Sequence, residues 1–328
     1  MNDLKNKSVL VTGGTGSFGQ AFVRWILENA EPRRVVVYSR DELKQFEMAQ
    51  EINAPQLRYF IGDVRDNDRL RRALDGIDTI VHAAAMKQVV AAEYNPIECI
   101  KTNILGAENI INAAIDCGVK DVIALSTDKA VNPVNLYGAT KLCSDKLFIA
   151  ANHMGRRGPT RFSVVRYGNV IGSRGSVVPF FMKLRETGKL PITDPRMTRF
   201  WINLDQGVAF VNRCLGMMRG GEVFVPKIPS LKIIDLADAI GPDCEKEIVG
   251  IRPGEKIHEV LIPRDEARLT REFPEFYVIR PSHDMWQEDH EPTYNGTVGD
   301  PVDPEFEYSS DTNTQWMDHA AVQAMFRE

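Results

Sequence analysis

A glycine-rich loop near the start of the chain is the feature that most constrains its fold. Gly13-Gly14-Thr15-Gly16-Ser17-Phe18-Gly19 follows the apolar run Ser8–Thr12 and precedes an amphipathic stretch over residues 17–29. Glycines at three-residue intervals form G-x-x-G-x-x-G, a shifted version of the dinucleotide fingerprint. Small residues let the backbone approach a pyrophosphate, and the helix N-terminus offers N–H groups and a positive dipole end. The loop therefore predicts an opening β–α unit that binds a dinucleotide.

The first half of the chain continues this alternation of short β-branched runs and amphipathic segments. Such alternation predicts an α/β fold, a Rossmann-type doubly wound parallel sheet. The predicted strands are Ser8–Thr12, Arg34–Tyr38, Leu57–Ile61, Asp78–His82, Val122–Leu125 and Phe162–Val165. The predicted helices include residues 17–29, 42–52, 96–117 and 137–153.

Beyond residue 169 the β–α pattern weakens, and prolines and glycines become frequent. We therefore expect a dinucleotide-binding domain over residues 1–168 and a smaller, mainly substrate-binding domain over residues 169–328, with some segments returning to the first domain. Ligands should bind at the carboxyl ends of the parallel strands. The acidic, proline-containing segment 281–307 reads as a solvated loop or arm, and Ser310-Asp311 could cap a short final helix.

Composition excludes several classes of partner. A net charge of −5 gives no basic character for nucleic acid. No stretch has the length and apolarity of a membrane span, and the N-terminus lacks the features of a signal peptide. The five cysteines are scattered and include no C-x-x-C pair, so they predict reduced thiols, no metal site and a cytoplasmic protein.

The second predicted strand ends in a segment that bears on the choice of cofactor. Ser39-Arg40 stands where NAD enzymes usually carry an acidic residue, and Lys44 follows one helical turn later. Arg40 and Lys44 could clamp a 2′-phosphate, which favours NADP over NAD. Asp41 could instead bind a ribose, or it could cap the helix over residues 42–52.

Tyr137 and Lys141 form the clearest catalytic pattern. Tyr-x-x-x-Lys places a phenol and an ammonium one turn apart on a helix face. A nearby cation favours the phenolate, so we expect the pKa of Tyr137 to be lowered by Lys141. The pair could then take the proton of a sugar hydroxyl while a nicotinamide takes the hydride.

A second group of reactive side chains precedes this pair. Thr127, Asp128 and Lys129 end the fifth predicted strand, where a simple dehydrogenase needs only a hydroxyl. The added acid and amine indicate that oxidation is only the first step. For Lys129 to act as a base, its pKa should be lowered by burial or neighbouring cations. Lys129 could alternatively form only a structural pair with Asp128.

Together these motifs resemble the extended short-chain dehydrogenase/reductase superfamily, and within it the inverting UDP-N-acetylglucosamine 4,6-dehydratases that begin pseudaminic acid synthesis. The resemblance runs from about residue 5 to about residue 280 and returns near the C-terminus. Its main motifs are Tyr38-Ser-Arg-Asp-Glu-Leu-Lys44, Ile61-Gly-Asp-Val-Arg-Asp66, Glu93-Tyr-Asn-Pro96, Leu125-Ser-Thr-Asp-Lys-Ala130, Asn135-Leu-Tyr-Gly-Ala-Thr-Lys141, Arg166-Tyr-Gly-Asn-Val170, Gly172-Ser-Arg-Gly-Ser-Val-Val-Pro179, Met197-Thr-Arg-Phe-Trp201, Arg252-Pro-Gly-Glu-Lys256 and Phe306-Glu-Tyr-Ser-Ser310.

Two neighbouring groups differ from the chain at these motifs. Retaining dehydratases carry Asp-Glu where this chain has Asp128-Lys129, and bifunctional dehydratase/5-epimerases carry Met in place of Tyr137. One departure from the resemblance is Gln88, where histidine is expected after Lys87.

The resemblance implies roles for particular residues. The catalytic residues would be Thr127, Asp128, Lys129, Tyr137 and Lys141. The residues that bind NADP would be Gly13, Thr15, Gly16, Ser17, Phe18, Gly19, Arg40, Asp41, Lys44, Gln45, Asp63, Val64, Ala83, Lys87, Tyr137 and Lys141. The residues that bind UDP-N-acetylglucosamine would be Lys87, Asn169, Thr193, Arg199, Arg252 and Glu255. A homo-oligomer is also implied.

Two other functions remain open from the sequence. One is a nucleotide-sugar 4-epimerase or reductase on the same scaffold, although Asp128-Lys129 argues against it because epimerisation at carbon 4 expels no hydroxyl. The other is a non-catalytic NADP-binding protein, against which the intact Tyr137–Lys141 pair argues.

Overall fold

A central parallel sheet organises the first half of the protein. The computed structural model describes residues 4–154, 160–172, 176–281 and 291–324. The first six strands are β1 (Ser8–Thr12), β2 (Arg34–Ser39), β3 (Leu57–Ile61), β4 (Thr79–His82), β5 (Asp121–Thr127) and β6 (Arg161–Tyr167). They lie parallel in the spatial order β3-β2-β1-β4-β5-β6. The predicted Rossmann-type fold is therefore confirmed.

Helices connect these strands and cover both faces of the sheet. They are α1 (Ser17–Asn29), α2 (Glu42–Glu51), α3 (Asn67–Ala73), α4 (Val89–Tyr94), α5 (Pro96–Ile100), α6 (Gly106–Cys117) and α7 (Leu136–Ala150). The helix predicted over residues 96–117 is one helical run interrupted by a π-helical turn, Lys101–Leu105. Apolar residues of α1, such as Phe22 and Ile26, are fully buried.

Later strands extend the same sheet. Strand β10 (Val223–Pro226) pairs parallel with β6, and β15 (Phe276–Ile279) pairs antiparallel with β10. The edge is completed by β14 (Thr270–Glu272) and β18 (Asp300–Pro301). The main sheet therefore includes segments from well beyond residue 168.

A second, smaller apolar core lies in the second half. Phe181, Leu190, Trp201, Leu236 and Ile240 belong to it. The helices of the second half are α8 (Val177–Leu184), α9 (Leu204–Met217), α10 (Ile233–Ile240), α11 (Arg264–Ala267) and α12 (His319–Ala324). Of these, α8, α10 and α12 contribute to the second core, whereas α9 packs mainly against α1 of the large sheet. The remaining strands are β7 (Asn169–Val170), β8 (Lys189–Ile192), β9 (Thr198–Ile202), β11 (Ser230–Lys232), β12 (Glu245–Ile248), β13 (Val260–Ile262), β16 (Thr293–Tyr294), β17 (Thr297–Val298) and β19 (Tyr308–Ser309).

Of two expectations about the C-terminal region, the helix cap was wrong, and the solvated loop or arm was right only in part: residues 291–307 are mostly exposed or half-buried but are tied to the fold. Ser310 caps no helix, because its Oγ accepts a hydrogen bond from Glu259 N at 2.9 Å. The segment 291–307 is not a free arm: Glu291 pairs with Arg271 and Arg280, and β18 joins the main sheet. Residues 282–290, and Ser173-Arg174-Gly175 of the glycine-serine motif, lie outside the described residues.

Candidate active site

A cleft of about 720 Å³ runs along the carboxyl ends of the parallel strands. Its lining combines the glycine loop, the tips of β2 to β6 and the start of α7 with Asn169, Arg252 and Glu255 from the second half of the chain. The cleft therefore lies where an open α/β sheet is expected to bind ligands.

The glycine loop has the geometry that its sequence requires. Gly13 adopts a φ of +63°, a conformation that favours glycine. A Cβ on Gly19 would lie 2.5 Å from Gly14 Cα, so only glycine lets α1 pack this closely against the loop. Gly16 begins α1 without a side-chain cap. The residues fit a dinucleotide, because a pyrophosphate is suited to the N–H groups that a side-chain cap would otherwise satisfy.

The tip of β2 presents two cations to the same cleft. Arg40 Nη1 lies 3.7 Å from Asp63 Oδ2, and Lys44 Nζ lies 2.7 Å from Asp41 Oδ2. Asp41 also caps α2, since its carboxylate accepts a hydrogen bond from Lys44 N at 3.1 Å. Both cationic side chains are about half exposed, with 61% and 44% accessible, so they can reach an anionic ligand.

The catalytic turn leaves β5 as a short 3-10 helix, Asp128–Ala130. Thr127 Oγ1 accepts from Lys129 N at 3.3 Å and donates to Asp128 Oδ1 at 2.9 Å. Lys129 Nζ donates to Asp128 Oδ1 at 3.0 Å and to Asn169 Oδ1 at 3.4 Å. Asp128 is fully buried, whereas Lys129 lines the cleft. The predicted acid and base thus form an ion pair at the cleft wall.

This ion pair changes the expectation for Lys129. Burial lowers the pKa of Lys129, but the Asp128 and Glu259 carboxylates raise it by more, so the net shift is upward. The prediction of a lowered pKa is therefore wrong for the paired state. Transfer of one proton from Lys129 Nζ to Asp128 Oδ1 would produce a neutral amine beside a neutral acid.

Tyr137 and Lys141 lie on the first turns of α7, and both line the cleft. Burial raises the pKa of Tyr137 to about 12, while Lys129 and a hydrogen bond with Thr127 lower it. Lys141 Nζ donates to Leu125 O at 2.8 Å, and burial lowers the pKa of Lys141. The prediction that Lys141 lowers the pKa of Tyr137 is therefore wrong for the protein alone, where Lys129 is the cation that does so.

Gly138 sets the distance between α7 and the catalytic turn. A Cβ at this position would lie 2.1 Å from Lys129 O, a contact that backbone movement must relieve. We expect Gly138→Ala to lower the free energy of unfolding by about 1–3 kcal/mol. Displacing the turn by about 1 Å should also reduce turnover by about 100-fold.

Thermal unfolding and steady-state kinetics of the purified variant would test this expectation. Gly207→Ala in α9 is the matched control, because its added Cβ would meet its nearest neighbour at 3.9 Å. The control should be slightly stabilised, since alanine is favoured over glycine inside a helix. Equal effects of the two substitutions would contradict the proposed packing role.

The loop Arg252–Lys256 is tied to the start of α7. Asn135 caps α7 by accepting from Gly138 N at 2.8 Å, and it donates to Gly254 O at 2.8 Å. This bond brings Arg252 and Glu255 to the cleft, with Arg252 Nη1 4.0 Å from Glu255 Oε1. Lys87 and Gln88 line the cleft as well.

Three predicted binding residues lie outside the cleft lining. Gln45 is buried and donates its amide to Ser39 O and Phe60 O, so it joins the ends of β2 and β3. Arg199 is nearly buried and donates to the carbonyls of Thr198, Lys256 and Ile257. Thr193 is not part of the lining. None of the three therefore lines the cleft, and their direct contact with ligands stays a prediction.

His82, at the end of β4, is buried in the protein interior and does not line the cleft. His82 Nδ1 lies 2.8 Å from Thr12 Oγ1, and burial, with Lys141 nearby, lowers the pKa of His82 to about 3. Within the described ranges, no group of three His, Cys, Asp or Glu residues could hold a metal ion. None of the described helices is long and apolar enough to cross a membrane.

The sequence analysis missed Glu259. This buried carboxylate lies 3.5 Å from Lys129 Nζ, yet it belongs to no motif that was singled out. Its charge immediately before the apolar run Val260–Ile262 was the available signal.

The chain matches the family model described as polysaccharide biosynthesis protein over residues 9–281. It is 58% identical over 314 residues to a protein named UDP-N-acetylglucosamine 4,6-dehydratase (inverting) from Campylobacter jejuni subsp. jejuni serotype O:2, covering 94% of each chain. It is also 41% identical to a protein named UDP-glucose 4-epimerase from Rickettsia felis, covering 84% of this chain and 83% of that one.

Solved structures share the architecture. The structure of Pen from Bacillus thuringiensis matches with a TM-score of 0.89 and 35% identity, covering 99% of this chain and 98% of that one. DesIV, a dTDP-glucose 4,6-dehydratase from Streptomyces venezuelae solved with NAD, matches with a TM-score of 0.68 and 27% identity, covering 76% of this chain and 86% of that one.

Proposed function

This chain belongs to the polysaccharide biosynthesis protein family, and from that premise we propose that it is a UDP-N-acetylglucosamine 4,6-dehydratase that inverts carbon 5. The observation that carries the proposal is the Asp128–Lys129 pair, whose lysine lines the same cleft as Tyr137, because the pair supplies an acid and a base beyond those needed for oxidation. The product would be UDP-2-acetamido-2,6-dideoxy-β-L-arabino-hex-4-ulose.

In the first step Tyr137 would remove the proton of the sugar's 4-hydroxyl. Thr127 would orient that hydroxyl. The glycine loop and Lys141 would hold a nicotinamide dinucleotide, which would supply reversible hydride transfer between carbon 4 and carbon 6. Because burial holds the pKa of Tyr137 near 12, the phenolate needs nearby positive charge, which Lys129 supplies. Lys141 would hold the cofactor ribose and add charge to the site.

The second step uses the ion pair after its internal proton transfer. Neutral Lys129 removes the carbon-5 proton, which the new 4-ketone has acidified. The electron pair forms the carbon 5–carbon 6 double bond, and the 6-hydroxyl leaves as water with a proton from Asp128. Elimination returns the pair to ammonium and carboxylate. Carbon 5 is then protonated from the opposite face as hydride reaches carbon 6.

Arg252 and Lys87 would bind the UDP diphosphate, and Asn169 and Glu255 would contact the sugar or nucleotide. Support comes from their place in the cleft lining and from the preference of phosphate for arginine donors. From the resemblance we further propose a cytoplasmic homo-oligomer whose product enters pseudaminic acid synthesis.

NMR of UDP-N-acetylglucosamine incubated with the pure enzyme in deuterated water, without added reductant, tests this function. We expect a 6-deoxy-4-keto product with deuterium and inverted configuration at carbon 5. A carbon-4 epimer, the product expected of a UDP-sugar 4-epimerase, would replace the proposal with epimerisation. Unchanged substrate would exclude this sugar nucleotide.

We propose NADP as the cofactor, since two cations at the tip of β2 suit a 2′-phosphate. We expect the double substitution Arg40→Glu and Lys44→Glu to weaken NADP binding by about 100-fold or more, because two charge-assisted contacts become repulsions. NAD binding should change much less. Calorimetric titration of both nucleotides into the cofactor-free protein measures the ratio.

Arg58→Glu provides the control, because Arg58 lies on β3 and donates to the carbonyls of Pro55 and Leu57, outside the cleft. Equal losses of NADP and NAD affinity in the double variant would contradict recognition of the 2′-phosphate.

A further inference from the structure

Glu259 is a buried charge that the steps above leave without a role. Its side chain, which directly precedes β13, is 3% exposed. Its carboxylate lies 3.5 Å from Lys129 Nζ, 3.6 Å from Lys256 Nζ and 3.8 Å from Arg199 Nε. Burying a carboxylate is costly unless cations compensate it. The three cations Lys129, Lys256 and Arg199 together compensate the charge of Glu259. Glu259 therefore lies beside Lys129, the proposed base.

The backbone and neighbours of Glu259 hold it firmly. Ser310 accepts from Glu259 N at 2.9 Å and donates its own N–H to Glu259 O at 2.8 Å. Arg199 is anchored to three backbone carbonyls, and Lys256 donates to Val131 O, just after the catalytic turn. The C-terminal motif that ends at Ser310 therefore positions a charge at the active site.

Glu259 completes a set of oxygens around Lys129. A lysine ammonium has three N–H donors. Three oxygens surround Lys129 Nζ: Asp128 Oδ1 at 3.0 Å, Asn169 Oδ1 at 3.4 Å and Glu259 Oε1 at 3.5 Å. An ammonium that turns its three donors to these oxygens has none left for a substrate carbon in the cleft.

Inversion requires that the proton taken from carbon 5 does not return to the same face. We propose that Glu259 determines this stereochemistry: with Asp128 and Asn169 it retains the abstracted proton on Lys129, so that carbon 5 is reprotonated only from the opposite face. This inference rests on the inverting dehydratase function proposed above. Glu259 acts through Lys129, as a positioning and specificity-determining residue.

The proton and electron changes balance without a further reactant. The carbon 5–hydrogen bond breaks as the Lys129 N–H bond forms, and Asp128 gives its proton to the departing oxygen. Hydride returns to carbon 6, and carbon 5 takes a proton from a solvent-exchangeable donor on the opposite face. Lys129 later passes its proton to Asp128, which restores the acid. The upward pKa shift that Asp128 and Glu259 give Lys129 is consistent with this retention.

The test uses Glu259→Gln, which keeps the shape of the side chain and removes its charge. The holoenzyme is given UDP-N-acetylglucosamine deuterated at carbon 5 in ordinary water, and the product is trapped at once by borohydride. Wild type should lose the deuterium and invert. In Glu259→Gln the ratio of retained to inverted product should rise about tenfold or more, the factor that corresponds to a fall of one unit in the pKa of Lys129. The retained product should keep part of the deuterium at carbon 5, because the Lys129 ammonium then carries one deuteron and two protons.

Asp311→Asn is the matched control, because Asp311 is a neighbouring carboxylate whose Oδ2 lies 4.0 Å from His258 Nε2, and asparagine can still accept from Ser309. It should behave as wild type, and Glu259→Asp should restore part of the inversion. Should Glu259→Gln fail to fold in thermal unfolding, Asn169→Ala removes another of the three acceptors and carries the same expectation.

Two outcomes would overturn the inference. One is a folded, active Glu259→Gln that gives only inverted, deuterium-free product. The other is an equal loss of carbon-4 oxidation and elimination with unchanged stereochemistry, which indicates a purely structural residue. Failure of the wild type to dehydrate the substrate would instead refute the proposed function.

Discussion

Replacing Tyr137 by phenylalanine should reduce the rate of oxidation at carbon 4 by about 10²- to 10⁴-fold, the range over which a positioned acid–base group contributes. Every later step depends on the 4-ketone, so water loss should fall by the same factor. The rate at which reduced nicotinamide forms after the holoenzyme is mixed with substrate measures the first step directly.

The physical reason is the position of the phenol. Tyr137 is 8% exposed at the start of α7 and hydrogen-bonds with Thr127 at the end of β5. Phenylalanine keeps the ring and its packing against Ala92 and Cys99 and removes only the hydroxyl. The loss should therefore be in rate and not in stability.

Tyr167→Phe is the matched control, since Tyr167 is also a buried phenol that lines the cleft. We expect less than about a tenfold effect there, because no acid–base step is assigned to it. Similar losses in both variants would contradict the assignment of Tyr137 as the base.

The large sheet could be predicted because its signals are local. Buried runs such as Val35–Val37 and the glycines of the first loop specify strand, turn and helix without distant contacts. The strands that return to the sheet after residue 168 could not be located in this way. Strand β10 joins β6 only through tertiary pairing, and its four residues resemble many short apolar runs.

The proposed catalytic residues could be named from the sequence because the resemblance and the chemistry agree on Tyr137, Asp128 and Lys129. Their charges were not predictable, because a pKa depends on what the fold brings near. Burial is the largest influence on the pKa of Tyr137. Glu259, which raises the pKa of Lys129, lies 130 positions away from it in the sequence. Arg199 shows the same limit, because its motif suggested phosphate binding and gave no sign that its guanidinium would donate to backbone carbonyls.

Replacing Lys129 by methionine should separate the two halves of the reaction. Without an amine, abstraction of the carbon-5 proton should slow by about 10²- to 10⁴-fold. Oxidation at carbon 4 needs Tyr137 and not this amine. Reduced nicotinamide and the 4-keto sugar should therefore accumulate on the enzyme, whereas wild type returns the hydride within each turnover.

Oxidation should also slow moderately in Lys129→Met, because Lys129 is a cation that lowers the pKa of Tyr137. Lys129→Arg separates these two roles, since arginine keeps the positive charge but remains protonated and cannot act as a base. We expect the arginine variant to oxidise carbon 4 faster than the methionine variant, and both to lose elimination. Stopped-flow absorbance of the nicotinamide measures the oxidation of carbon 4. NMR of the dehydrated sugar nucleotide that the enzyme releases measures the elimination.

The result discriminates between a base and a structural ion pair. If Lys129 only compensated Asp128 and Glu259, arginine would replace it, because both carboxylates would keep a cation within reach. Elimination that persists in Lys129→Arg would therefore refute the amine as the base. Elimination lost in both variants, with oxidation retained, would require a group at position 129 that can accept a proton. Of the two described side chains that donate to Asp128 Oδ1, those of Thr127 and Lys129, the lysine is the one whose neutral form can act as a base, and it lies in the cleft.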